Sequence, residues 1–236
     1  NPNANIPFIM RQKRKLPKQV FEQEYEGVAV FGSSVVFGEF ARIQTITEWE
    51  KPDDKKTYFF GLDISGDGED ETVLTIEDEE GKTVLIHEVE AISHPNQSRE
   101  LIPIINRYKN ISGYGEKNGL GNGLCDLLIE GGIKLNKWIT TNDSKQDLVS
   151  DYIEDIANDK TQLPTSELCP KLDNQMTLYI VKRTKTGKLT YTHPDGLHDD
   201  YVDSKMLSNH ARRTIGYIDV YEENETEDYD DDEDIY

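Results

Sequence analysis

The chain has 236 residues, 35% of them apolar and 31% charged, which is enough for one sizeable domain or two small ones. Its net charge of −20 argues against tight nucleic-acid binding by the bare chain, but not against a nucleic-acid enzyme whose metals and partner domain neutralise the phosphates. No apolar run is long enough to cross a bilayer, and there is no signal-peptide pattern. Cys125 and Cys169 form neither a disulfide framework nor a zinc spacing, so a reducing, intracellular setting is expected.

Residues 1–56 read as a linker or arm, opening on Asn1 as an excised fragment would and carrying the bases Arg11, Lys13, Arg14, Lys15 and Lys18. Within it, Gly27–Phe37 is apolar enough to dock on a core as a strand or helical turn. The run Thr57–Asp63 is a buried-strand pattern that ends in a carboxylate, followed by a Gly/Asp-rich loop over residues 65–70. Thr72–Glu77 and Thr83–Val89 are two more strands joined by the turn Glu79-Glu80-Gly81-Lys82. Leu101, Ile104, Ile105 and Tyr108 have helical spacing over Asn96–Lys109, with Pro103 as a start or a kink. Ile111–Glu116 is a short strand. The stripe Leu120, Leu124, Leu127, Leu128 is a helix capped by Gly131-Gly132, and Ile133–Thr140 is a strand. Ser144–Ala157 is an amphipathic helix. Met176–Val181 and Lys188–His193 form a hairpin around Thr184–Gly187, and a last helix runs from about Asp199 to Arg213. Ten acids and no base fill Glu222–Asp234, so residues 221–236 read as a disordered acidic tail. Strands and helices alternating in this way give an α/β domain over residues 57–220.

Three acidic positions stand out: Asp63 at the end of the first strand, Glu116 at the end of the fourth, and Asp199, Asp200 and Asp203 at the start of the last helix. In an open α/β sheet, sites form at the carboxyl ends of strands. Clustered carboxylates repel one another unless cations sit among them, and oxygen-only ligands select Mg²⁺ or Mn²⁺. Simpler readings compete. Asp63 also suits a turn, Glu116 a solvated loop, and Asp199-Asp200 an ordinary helix N-cap. The start of an EF-hand loop at Asp63–Gly68 fails because Leu74 occupies the position that needs Glu. Neither a dinucleotide fingerprint nor a phosphate-loop motif is present.

The ordered set Gly61-Leu-Asp63, Glu116-Lys-Asn-Gly-Leu-Gly-Asn-Gly123 and His198-Asp-Asp-Tyr-Val-Asp203 resembles the C-terminal nuclease domain of large terminase subunits, the DNA-packaging motors of tailed phages. Phe21–Tyr25 is similar to the segment that joins their ATPase domain to the nuclease, so the resemblance covers about Pro17 to Arg213. It implies an RNase H-like mixed sheet flanked by helices and a two-ion Mg²⁺ or Mn²⁺ site that cleaves concatemeric double-stranded DNA. Asp63, Glu116 and Asp200 match the three catalytic, metal-holding acids, with Asp199 a further ligand. Asp203 matches a neighbouring acid expected to matter less, and Asp70 an acid of the loop after the first strand. The implied partners are DNA, the ATPase domain of the full-length protein, the portal and the small terminase subunit, in the host cytoplasm and outside the mature virion. The hairpin bases Lys182, Arg183, Lys185 and Lys188 are candidate DNA contacts, or else a solvated tip. Two other readings are an RNase H-like phosphotransferase of the sugar-kinase or actin kind, and a non-enzymatic acidic interaction protein or DNA mimic.

Overall fold

A computed structural model describes residues 6–16, 21–22, 25, 34–64, 71–90, 92–117, 121–184, 187–194 and 197–226, the last ten of these by backbone course only. Ten strands are described: β1 Ser34–Val35, β2 Gln44–Ile46, β3 Thr57–Asp63, β4 Thr72–Asp78, β5 Thr83–Val89, β6 Asn110–Glu116, β7 Leu135–Trp138, β8 Leu163–Pro164, β9 Ile180–Arg183 and β10 Leu189–Thr192. The α-helices are α1 Ile6–Lys15, α2 His94–Ile105, α3 Gly121–Glu130, α4 Asn142–Ala157, α5 Pro170–Leu178 and α6 Asp200–Thr226. Among the described residues no helix is long and apolar enough to cross a membrane.

The main sheet has the order β5-β4-β3-β6-β7. β3 is central, antiparallel to β4 and parallel to β6, and β6 is parallel to β7. The fold class is therefore the expected α/β mixed sheet flanked by helices. Alternation along β3 divides its side chains between two cores. Tyr58, Phe60 and Leu62 face one side with Leu101 and Ile105 of α2 and Leu124 and Leu128 of α3. Phe59, Gly61 and Asp63 belong to the other side, which α6 covers. Glycine at position 61 has a steric reason: a Cβ there would lie 2.1 Å from the Ser204 carbonyl oxygen and 2.3 Å from the Ser208 nitrogen. The helix backbone thus rests directly on the strand, and it brings the start of α6 beside the carboxyl end of β3. A buried ionic network ties α6 down further along. Glu77 of β4 meets Lys205 and Arg212, and Arg212 also reaches Asp155 of α4 at 2.6 Å.

Several expectations change. Part of the segment read as an arm is built into the core: Val36, Phe37, Phe40 and Ile43 are buried, β1 pairs with β9, and β2 pairs with β8. The strand read from Met176 begins only at Ile180. Residues 170–178 are helix, started by Pro170 and docked through Leu172 and Met176 one turn apart. The helix read over Asn96–Lys109 starts at His94, with Pro95 in its first turn, and passes Pro103 before ending at Ile105. The Gly131-Gly132 cap is present, with Gly132 at φ 86°. The last helix continues to Thr226, into the stretch read as the start of the acidic tail. Residues 227–236 lie outside the described residues, as do Asp70, Leu120 and Lys185.

Candidate active site

The carboxyl ends of β3 and β6 lie side by side, because Leu62 pairs with Gly115 in parallel register. Asp63 and Glu116 each follow by one residue, so the two carboxylates leave the sheet at neighbouring points. Glu116 shares the parity of Tyr114, whose ring meets His210 of α6 at 5.3 Å, so both acids belong to the α6 face. The first turn of α6 supplies Asp203, only 8% exposed, with Asp199 and Asp200 just before it.

Sequence reasoning missed Lys145 on α4. Its Nζ lies 2.6 Å from Asp203 Oδ2 and 3.0 Å from Asp199 Oδ2, and it stands 5.8 Å from the centre of the Tyr179 ring. The Tyr179 hydroxyl points to Asp203 Oδ1 at 3.4 Å. Burial opposes the charge on Lys145, yet Asp203, Tyr179 and Asp199 hold its pKa well above the ordinary amine range.

The acids feel one another. Burial, and then the charges of Asp203, Glu116 and Asp200, push the Asp63 carboxyl well above its usual range, with Lys145 pulling the other way. Burial pushes Asp203 up to about 7 against the pull of Lys145, with Asp199 and Glu116 adding to the rise. Of the charges acting on Asp63, that of Asp203 is the largest. Asp203 therefore acts on Asp63 more strongly than its position one turn into the helix suggests. Asp200 contributes more weakly and lines a neighbouring cavity of about 320 Å³ with Glu71, Gln175, His193 and His198.

The N-cap alternative for Asp199 does not hold. The first N–H groups of α6 are taken by Gln175 of α5, whose Oε1 accepts from Tyr201 N at 2.9 Å and Val202 N at 3.2 Å. Asp199 turns its carboxylate to Lys145 instead.

These donors are all oxygen, which suits a hard divalent cation. Among the described residues, no three of them stand close enough to share an ion. Burial first, and the neighbouring acids after it, raise the carboxyls of Asp63 and Asp203, and a cation beside them would favour their charged forms. Of the hairpin bases, Lys182 and Arg183 lie on β9 and Lys188 just before β10. Lys182, Arg183 and Lys188 are exposed, and Lys188 Nζ is 3.8 Å from Asp143.

No protein-family model matches the sequence, and no curated protein matches it. The fold is nevertheless shared with solved structures. The large terminase nuclease of thermophilic phage G20c with bound magnesium is 16% identical over 77% of this chain and 98% of that one, at a TM-score of 0.66. The same nuclease has been solved with cobalt and with zinc. A large terminase from a thermophilic bacteriophage is 11% identical over 91% of this chain but 54% of that longer one, at 0.65. A mutant form of the large terminase subunit of bacteriophage sf6, solved with calcium, is 13% identical over 75% of this chain and 99% of that one, at 0.55. The chain thus has the RNase H-like fold of large terminase nuclease domains.

Proposed function

We propose that the chain is the nuclease domain of a viral large terminase, a metal-dependent endonuclease that cleaves concatemeric double-stranded DNA during genome packaging. The observation that carries this reading is the convergence of Asp63 and Glu116 with the acids that open α6, in a setting that makes their combined negative charge unfavourable. The terminase nuclease fold, seen elsewhere with magnesium, cobalt, zinc and calcium, supports the same conclusion.

Asp63, Glu116, Asp200 and Asp199, joined by Asp203, would hold two Mg²⁺ or Mn²⁺ ions. Ions bound there supply an acidified water for in-line attack on phosphorus and charge for the oxygen that leaves. Asp63, on the central strand, would be one of the carboxylates that hold the ions. Lys145 holds the Asp199 and Asp203 carboxylates by ion pairs. Lys182, Arg183, Lys185 and Lys188 guide the DNA backbone from the hairpin. The full protein acts in the host cytoplasm with its own ATPase domain, the portal and the small terminase subunit.

Plasmid nicking tests the reading. The chain is expected to nick supercoiled DNA with Mn²⁺ or Mg²⁺ and to stop in EDTA. Asp63→Asn should abolish nicking. Glu116→Gln and Asp200→Asn should do nearly the same, without adding to it, because the acids act as one unit. Nicking by Asp63→Asn at the parent rate in saturating Mn²⁺ would overturn the assignment.

A further inference from the structure

The first turn of any helix leaves N–H groups without partners inside the helix, and the residue just before it usually supplies the oxygen that caps them. Asp199 holds that place ahead of α6 and has a side chain well suited to the task. It is engaged elsewhere, 3.0 Å from Lys145 Nζ. The cap comes from Gln175, 26 and 27 residues away in sequence, through one oxygen that accepts from both Tyr201 N and Val202 N. Gln175 is itself held in place. Its carbonyl accepts from His193 Nε2 at 2.7 Å, and His193 is only 4% exposed just after β10. One turn earlier on the same helix, Lys171 pairs with Glu71 and Glu88, and the Tyr201 hydroxyl donates to Glu88. The α5 helix therefore grips the first turn of α6 at two points.

We infer that Gln175 is a positioning residue of the acidic site: by capping α6 from another helix, it frees Asp199 to face Lys145 and sets the rotation at which Asp200 and Asp203 leave the helix. This inference rests on the reading of the acids as a metal site. A cap with a structural role alone would add stability and leave the acids unchanged. Here the two roles compete for one side chain. If the Gln175 oxygen is lost, the acceptor standing at the N-cap position for the freed N–H groups is Asp199, which then leaves Lys145.

The test is Gln175→Met, which keeps the length of the side chain and removes its oxygen. The crystal structure of the variant should show Asp199 accepting from Tyr201 N or Val202 N and no longer meeting Lys145. Calorimetric titration of the full chain with Mn²⁺ should show affinity falling on the order of tenfold, as when a supporting partner of a metal ligand is removed. Gln175→Glu keeps the acceptor and should leave Asp199 on Lys145. If Gln175→Met does not fold, Gln175→Asn, too short to reach the two N–H groups, is read in its place. Asp199 still on Lys145, with unchanged Mn²⁺ affinity, would overturn the inference. A parent chain that neither binds Mn²⁺ nor nicks DNA would instead overturn the nuclease reading, while the position of Asp199 in the variant would still decide the role of Gln175.

Discussion

Replacing Asp203 with Asn removes one charge from the cluster and almost no volume. The Asp203 carboxyl is pushed up to about 7 from an ordinary value of 3.8, chiefly by burial. Between those two values the folded protein keeps a proton that the unfolded chain has released. Rising pH therefore drains stability from the metal-free fold, and the loss is complete above the folded value. From pH 5 to pH 8 the two units up to about 7 correspond to about 2–3 kcal/mol at roughly 1.36 kcal/mol per unit. The variant escapes that loss. Its own penalty is that Lys145 loses the 2.6 Å carboxylate and keeps only Asp199 at 3.0 Å; the pull of Lys145 on Asp203 is already part of the value of about 7, so it adds no further pH dependence. Thermal unfolding in EDTA at pH 5 and pH 8 separates the two effects. The melting temperature of Asp203→Asn should rise relative to the parent between the two pH values, by roughly 4–12 °C for a domain of this size. Adding Mn²⁺ at pH 8 should favour the parent instead, because the parent binds the ion better. An equal difference between parent and variant at pH 5 and pH 8 would refute the argument.

Three further outcomes are expected. Gly61→Ala should destabilise by about 3 kcal/mol or more, since its Cβ would lie 2.1 Å from the Ser204 carbonyl oxygen and the helix backbone cannot yield cheaply; an unchanged melting temperature would contradict the packing described. Arg212→Met leaves Glu77 and Asp155 buried without a partner they now share and should cost roughly 3–5 kcal/mol in urea unfolding, whereas a loss under about 1 kcal/mol would show that the network does not hold α6. Neutralising Lys182, Arg183 and Lys188 together should weaken DNA binding and flatten its salt dependence by about 0.9 for each phosphate these bases neutralise; an unchanged slope would make the hairpin a solvated tip.

The central strand and the acids were legible because each has a local signature. The apolar run of β3 stops abruptly at Asp63, β6 stops at Glu116, and the pair at 199–200 opens a helix. The α5 helix was not legible. Its buried residues Leu172 and Met176 are too few to fix a helical period, and Met176 runs on into the apolar start of β9. Residues 34–46 failed for a similar reason. They bury Val36, Phe37, Phe40, Ile43 and Ile46, but through pieces of two to four residues that show no periodicity. Lys145 and Gln175 carried no signal at all. Both are ordinary helix residues, and their partners are 54 and 26 residues away.

What the sequence left open was whether each acid was there for the fold or for chemistry, and the geometry bears on that choice. A turn-forming Asp63 would sit in solvent at its own pKa. Instead it faces three other acids, and burial and their charges work against its ionisation. A capping Asp199 would bind its own helix, yet another helix provides the cap. The placement of Asp63 weakens the metal-free fold and is sustained by stabilising contacts made elsewhere: the close seat of α6 on Gly61, and the Glu77, Lys205 and Arg212 network behind it. Local rules are broken in this way where function demands it. Acids held together against their own repulsion have a physical purpose once a divalent cation is among them, and the pH dependence of Asp203→Asn measures what burial and that repulsion together cost the metal-free fold.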